Sequence, residues 1–198
     1  MIKAAATPSD VAPAAKVKES NDDLPDLPIV DGISWMGPVV LGGPNVTLFG
    51  TAESIYNQII KLNPKYDVWD IPYYVEQMAA RNITRESQEK ALQTRQSVIK
   101  TCTYTPSLFL QWDQCSEGWY YLNSLGGYCW AGPWSCARVS CSHACGMFLC
   151  SRTNTGGWGS CALVADDMWW IWNACNSVKG QGHWIYSGHS TELKFNIS

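Results

Sequence analysis

Apolar positions along this chain change their spacing several times, and each change marks an element. From Ile29 to Leu48 short extended runs are punctuated by Gly-Pro pairs, and Gly42-Gly43-Pro44 marks a turn. Val46 and Leu48 with their neighbours predict a strand. Thr51 then stands at an N-cap position with Glu53 in the first turn, so a helix is expected from Ala52 to Leu62. Ile55, Ile59 and Leu62 form one stripe, with Ile60 beside it, and Asn63-Pro64 stops the helix. A second helix is expected over 73–81, and Thr84 can cap a third, polar one through 93.

The second half reads differently. A strand is expected over 97–104 and a short helix over 114–125, closed by Gly126-Gly127. Strands over 137–141 and 146–151 share a tight connection, and Gly156-Gly157 is a turn. The longest helix is expected over 160–175. Leu193, Phe195 and Ile197 alternate with polar residues in a closing strand over 191–197. Strands flank helices without a βαβ repeat. This predicts an α+β fold, an antiparallel sheet with helices packed on one face as an α/β sandwich, preceded by a mostly helical segment.

Within the longest helix, Cys161, Val164, Met168, Trp172 and Cys175 fall on one stripe and should face the core. Trp170 lies on the line of Asp166 and Asn173. An indole there is either covered by the N-terminal segment or exposed for a partner. The adjacent Asp166 and Asp167 point about 100° apart on a helix, so they read as a solvated face rather than a shared acid site.

Composition adds the compartment. All nine cysteines (Cys102, Cys115, Cys129, Cys136, Cys141, Cys145, Cys150, Cys161 and Cys175) lie in the second half. That density belongs to oxidising compartments, so all nine are disulfide candidates, with one thiol left over. Sequons at Asn45, Asn82 and Asn196 agree with passage through a secretory pathway. The expected localisation is therefore secreted and extracellular, although Met1 to Lys18 holds no apolar run of the kind a secretory leader needs. A net charge of -3 without a clustered basic patch argues against nucleic acid as a partner. No run of 18 apolar residues predicts a membrane span.

A boundary falls near Arg95. Eight of ten prolines precede it, whereas nine of eleven tryptophans and every cysteine follow it. Residues 1–28 are rich in Ala, Pro, Lys and Asp and read as a disordered tail. Residues 29–95 read as a pro-segment or N-terminal subdomain, and 96–198 as a cysteine-rich α+β domain. Leu92-Gln93-Thr94-Arg95, on a polar stretch, resembles the processing sites of kexin-type proteases in fungal secreted precursors, which makes Leu92 and Arg95 candidate processing residues.

The most specific segment is Ser135-Cys136-Ala137-Arg138-Val139-Ser140-Cys141-Ser142 after a Gly-Pro turn. A second strand ending in Cys150, a helix ending in Cys175, and Gly180-Gln181-Gly182-His183-Trp184 before a last strand complete the order. This order, over residues 97–197, resembles a family of small secreted cysteine-rich proteins of filamentous fungi. They are candidate effectors whose compact α/β form is similar to that of fungal killer toxins. The chain departs from the family pattern at Ser151-Arg152, where the family has asparagine-aspartate, and in lacking a cysteine at the end of the last strand. Cys115, Cys129, Cys145 and Cys161 look like additions to it.

No residue set reads as catalytic. Gly127-Tyr128-Cys129-Trp130-Ala131 superficially matches a papain-like nucleophile segment, but the preceding Cys-Gly is absent and too little chain follows. There is no Gly-x-Ser-x-Gly elbow, and Ser140, His143 and Asp166 are a trio any chain of this size offers. Cys141, His143 and Cys145 would suggest zinc in a reducing compartment, whereas in a secreted chain oxidised cysteine is the expectation. No enzyme, metal or cofactor is therefore expected. The reading is a non-catalytic secreted effector or toxin-like protein, a monomer that binds a host or competitor protein or cell-surface component. The alternative is a carbohydrate or cell-wall binder. Trp130, Trp134 and Trp158 lie near Gly-rich turns. The candidate binding surface is Trp170, Trp130 and Trp134, and carbohydrate binding would require a coplanar row of exposed tryptophans on one sheet face.

Overall fold

The computed structural model describes residues 27–80, 84, 99–104, 112–142, 145–175, 180–185 and 191–196. Ten strands and four α-helices follow one another along these residues: β1 (Ile29–Val30), β2 (Ile33–Pro38), β3 (Asn45–Gly50), α1 (Ala52–Leu62), α2 (Pro72–Ala79), β4 (Ile99–Tyr104), α3 (Trp112–Asn123), β5 (Tyr128–Ala131), β6 (Ser135–Ser142), β7 (Cys145–Ser151), β8 (Gly157–Ser160), α4 (Cys161–Cys175), β9 (Gly180–Ile185) and β10 (Thr191–Asn196). The mixed helix and strand content agrees with the expected class. The strands divide among three sheets, ordered β1-β6-β7-β10, β3-β2-β5-β8 and β4-β9. Among the described strands, only the β1–β6 pair is parallel.

Local chemistry accounts for the first helix. The Thr51 side chain accepts a hydrogen bond from the Ser54 N–H, satisfying one orphan donor of the first turn. Ile55 and Ile59 are fully buried, whereas Leu62, expected on the same stripe, is exposed at the last turn. The Asn63 side-chain amide donates to the Val39 carbonyl at 2.9 Å, fastening the helix end to the β2–β3 turn. At the end of α3, Gly126 and Gly127 both take positive φ (59° and 58°), a left-handed exit that favours glycine.

One core cluster draws on both four-stranded sheets and all four helices. Trp35 and Ile33 of β2 meet Cys129 and Ala131 of β5, Val139 of β6, Leu149 of β7, Ile59 of α1, Tyr74 of α2, Leu122 of α3 and Met168 of α4. Residues on both sides of Arg95 are therefore parts of the same core. Strand β7 is buried along its whole length, and on its other side Phe148 packs with the Cys136–Cys150 bond and Leu27. Helix α4 is buried around most of its described circumference: Ala162 and Ala165 are covered as well as Cys161, Val164 and Met168.

Among the described residues, three disulfides fasten this arrangement: Cys115–Cys145, Cys129–Cys161 and Cys136–Cys150. The first joins α3 to β7, the second joins β5 to the start of α4, and the third spans the β6–β7 pair. Cys115, Cys129, Cys145 and Cys161 thus pair with one another. No helix among the described residues is long and apolar enough to cross a membrane.

Candidate functional site

The β3-β2-β5-β8 sheet turns an aromatic face outward, and the alternation of side chains along a strand decides which residues occupy it. In β5, Cys129 and Ala131 are buried, and Cys129 is bonded to Cys161. Tyr128 and Trp130 must therefore point to the other side. In β8, Trp158 stands directly opposite Trp130. In β2, Trp35 is buried, so Ser34 and Met36 face outward beside Trp130 and Tyr128. In β3, Phe49 lies opposite Ser34 and Thr47 opposite Met36.

Ring contacts link three side chains of this face. Tyr73 of α2 lies 5.4 Å from Tyr128 at an interplanar angle of 32°, and Tyr128 lies 5.4 Å from Trp158 at 63°. Trp158 is 60% exposed and Trp130 37%. Tyr73, Met36 and Phe49 are exposed too. None of the four strands contains a charged residue. A contiguous uncharged surface of large side chains on a folded protein marks a contact site.

The Trp130 ring rests on backbone. Gly156 has φ of 80°, and a Cβ there would meet the Trp130 indole and approach the Ala131 carbonyl to 2.6 Å. Glycine is thus required on conformational and steric grounds, and it sets the ring's height above the sheet. Trp134 is placed differently. It sits in the β5–β6 turn with φ of 47°, half exposed, and its indole N–H donates to Asn154 Oδ1 at 2.6 Å. That bond ties the β5–β6 turn to the β7–β8 turn, so Trp134 braces one end of the sheet.

Tyr128 reports on the face. Burial, then a hydrogen bond with Tyr73 and the charge that Tyr73 would carry, push its phenol up to about 12 from 10.0. Tyr66, whose hydroxyl donates to the Leu125 carbonyl, is raised mainly by burial as well. Below pH 10 both phenols are neutral in the folded and unfolded states, and their contribution to stability is intact. Above pH 10 the unfolded chain loses its phenolic protons first, so stability falls as pH rises towards 12. Thermal melts should show this decline beginning near pH 10, and Tyr66→Phe should make it shallower. An unchanged slope in that variant would assign the alkaline loss to other groups.

The remaining predicted residues fall as follows. Trp170 lies on α4, with its side chain outside the described residues, as are Leu92, Arg95, Asn82 and His143. Asn45 is exposed at the start of β3, and Asn196 ends β10. Cys141 is exposed on β6, outside the three described disulfides. Cys102 lies on β4 and Cys175 ends α4, and their side chains are outside the described residues. Cys145 is bonded to Cys115 and so is withdrawn from any thiolate cluster with Cys141.

Asp166 and Asp167 correct the expectation of a solvated helix face. Both are buried, Asp167 to 2% exposure. The angle between helical neighbours is as expected, but α4 is surrounded by other elements, so both directions lead inward.

Tyr73, Tyr128, Met36 and Phe49 were not among the expected surface residues. The signal for Tyr128 was the alternation Tyr128-Cys129-Trp130 around a half-cystine. Tyr73 gave none, because its position on the face depends on how α2 packs. No protein-family model, characterised protein or solved structure matches the chain.

Proposed function

We propose that this is a secreted, non-catalytic protein of the effector or toxin-like class that binds a host or competitor protein through the Tyr73–Tyr128–Trp158–Trp130 face. The observation that carries the reading is a sheet face without charged strand residues, on which Trp158 packs against Tyr128 and Tyr128 against Tyr73, with exposed Trp130 opposite Trp158. Tryptophan and tyrosine dominate the centres of protein interfaces, where an apolar body and a polar tip are both used. On this reading the chain is an extracellular monomeric glycoprotein, an α/β sandwich stabilised by disulfides, with residues 29–95 as an N-terminal subdomain that shares its core rather than a pro-segment that is shed. The fungal secreted family is its proposed relation.

One observation favours a polysaccharide instead: Trp130 and Trp158 stand side by side on the same sheet face. A flat sugar platform needs coplanar rings, and the 63° between Tyr128 and Trp158 breaks that plane. The protein target is therefore the better fit.

The test uses purified, disulfide-bonded protein infiltrated into a susceptible host, with cell death or altered susceptibility as the readout. The variant Trp130→Ala/Trp158→Ala should keep the wild-type melting profile and lose activity at least about tenfold, the scale of a hot-spot loss. Activity should change little between low and high salt, because no charge on these strands is available for screening. Full activity in the double variant would sink the proposal. Retention on chitin, glucan or cellulose that the double variant loses would move the target to polysaccharide.

A further inference from the structure

The half of the same face furthest from Trp158 is apolar, and it carries its own attachment point for a cover. From Gly32 to Ala52 the chain contains no charged residue. This β2–β3 hairpin exposes Met36, Val40, Leu41 and Phe49, with Leu41 at 64% and Phe49 at 55% exposure. The turn at its tip is closed by the Gly43 N–H donating to the Val40 carbonyl at 2.8 Å. Exposed apolar side chains on a free strand edge invite association.

Asn45 stands in the middle of this surface. It is the first residue of β3, paired with Pro38 across the hairpin, and it is exposed. Asn45, Thr47 and Phe49 are the three exposed alternate positions of the strand, so they share the outward face. Thr47 lies opposite Met36, and the tip residues Val40 and Leu41 lie in the other direction. The sequon Asn45-Val46-Thr47 thus presents its amide and its hydroxyl together, on an edge strand, with apolar side chains on either side.

We infer that Asn45 carries an N-linked glycan that lies over the Met36–Phe49 half of the face and bounds the binding surface on that side. The co-substrate is an oligosaccharide on a lipid pyrophosphate. The Asn45 Nδ2 forms a bond to C1 of the first sugar. The bond from C1 to the pyrophosphate oxygen breaks, the lipid pyrophosphate leaves with the electron pair, and the amide gives up one proton. A glycan at this position is bulky and solvating. The C–H faces of its first sugars have Met36 and Phe49 to lie against. Trp158 is on the opposite edge strand, three strand spacings or about 14 Å away, so the Trp158 edge of the face stays open. The inference rests on the secretory part of the proposed function, but not on the identity of the target.

The full chain secreted from a eukaryotic host behind a heterologous leader provides the test. Peptide mass spectrometry should find Asn45 occupied. Thr47→Ala and Asn45→Gln should each remove the mass of one glycan, and Thr47→Ser should retain it. Loss of the glycan, by substitution or by endoglycosidase under native conditions, should raise the fluorescence of an apolar-surface dye about twofold. Phe49→Ser added to Thr47→Ala should bring that signal back down. An unoccupied Asn45 in folded, secreted protein overturns the inference, as does dye binding unchanged by native deglycosylation. These readouts need no target, so failure here is distinct from failure of the Trp130→Ala/Trp158→Ala test.

Discussion

Trp35→Ala is expected to destabilise the fold by about 4 kcal/mol, the usual cost of emptying a buried aromatic site. Trp35 has no exposure at all and sits on β2, between β3 and β5. Its ring fills a slot narrowed by glycines. A Cβ at Gly37 would come within 2.6 Å of its Cζ2, and one at Gly127 within 3.0 Å of its Nε1. Its indole N–H donates to the Gly126 carbonyl at 2.9 Å, holding the exit of α3 against the sheet. The alanine variant loses the volume and also leaves that buried carbonyl without its donor, a further cost of about 1 kcal/mol. Against a typical total of about 5–15 kcal/mol, such a loss leaves a sizeable unfolded population. Urea titration should place the midpoint far below wild type, with Trp35→Phe in between. A midpoint within experimental error of wild type would show that the slot collapses around the missing ring. Because Ser34 and Met36 flank Trp35 on the outer face, target binding should fall with the folded fraction.

Removing the Cys129–Cys161 bond should cost about 3–4 kcal/mol, the loop-closure estimate for its sequence separation of 32. The consequence for function is larger than for a bond elsewhere, because this one fixes which way β5 faces. A Cys129→Ala/Cys161→Ala variant should melt earlier. The Tyr128 phenol should then ionise nearer its ordinary value, since burial and the Tyr73 contact depend on the same register. Losing the Cys136–Cys150 bond, with its shorter separation of 14, should cost less and leave Tyr128 unchanged. If both variants shift Tyr128 equally, the effect is global loosening rather than a role for β5 orientation.

Elements set by local chemistry were legible in the sequence. Thr51, the isoleucine stripe and Asn63 define α1 within a few residues, and Gly126-Gly127 closes α3. The adjoining strands β6 and β7 were legible too, since a short connection joins them. The separation into three sheets was not. It depends on pairings such as Trp35 with Cys129 and Ile99 with Ile185, distant in sequence and carrying no local mark. For the same reason Trp130 and Trp158 read as turn residues beside Gly132, Gly156 and Gly157, when both lie on strands. The burial of Asp166 and Asp167 was hidden because helical periodicity gives direction on a helix but not what stands in that direction.

The division of labour across Arg95 has a mechanical consequence. Every cysteine follows that residue, so no covalent cross-link joins the two halves of the chain except the backbone itself. Yet β2 lies hydrogen-bonded between β3 and β5, and Tyr66 and Gln77 reach Leu125 and Ser160 in the other half. A single cut after Arg95 would therefore turn one chain into a two-piece assembly rather than shed a wrapper. The pieces would travel together under native conditions and separate only when the common core opens. Once apart, the cysteine-rich piece would lack the strand that supports its aromatic face, so separation rather than cleavage would be the event that ends activity.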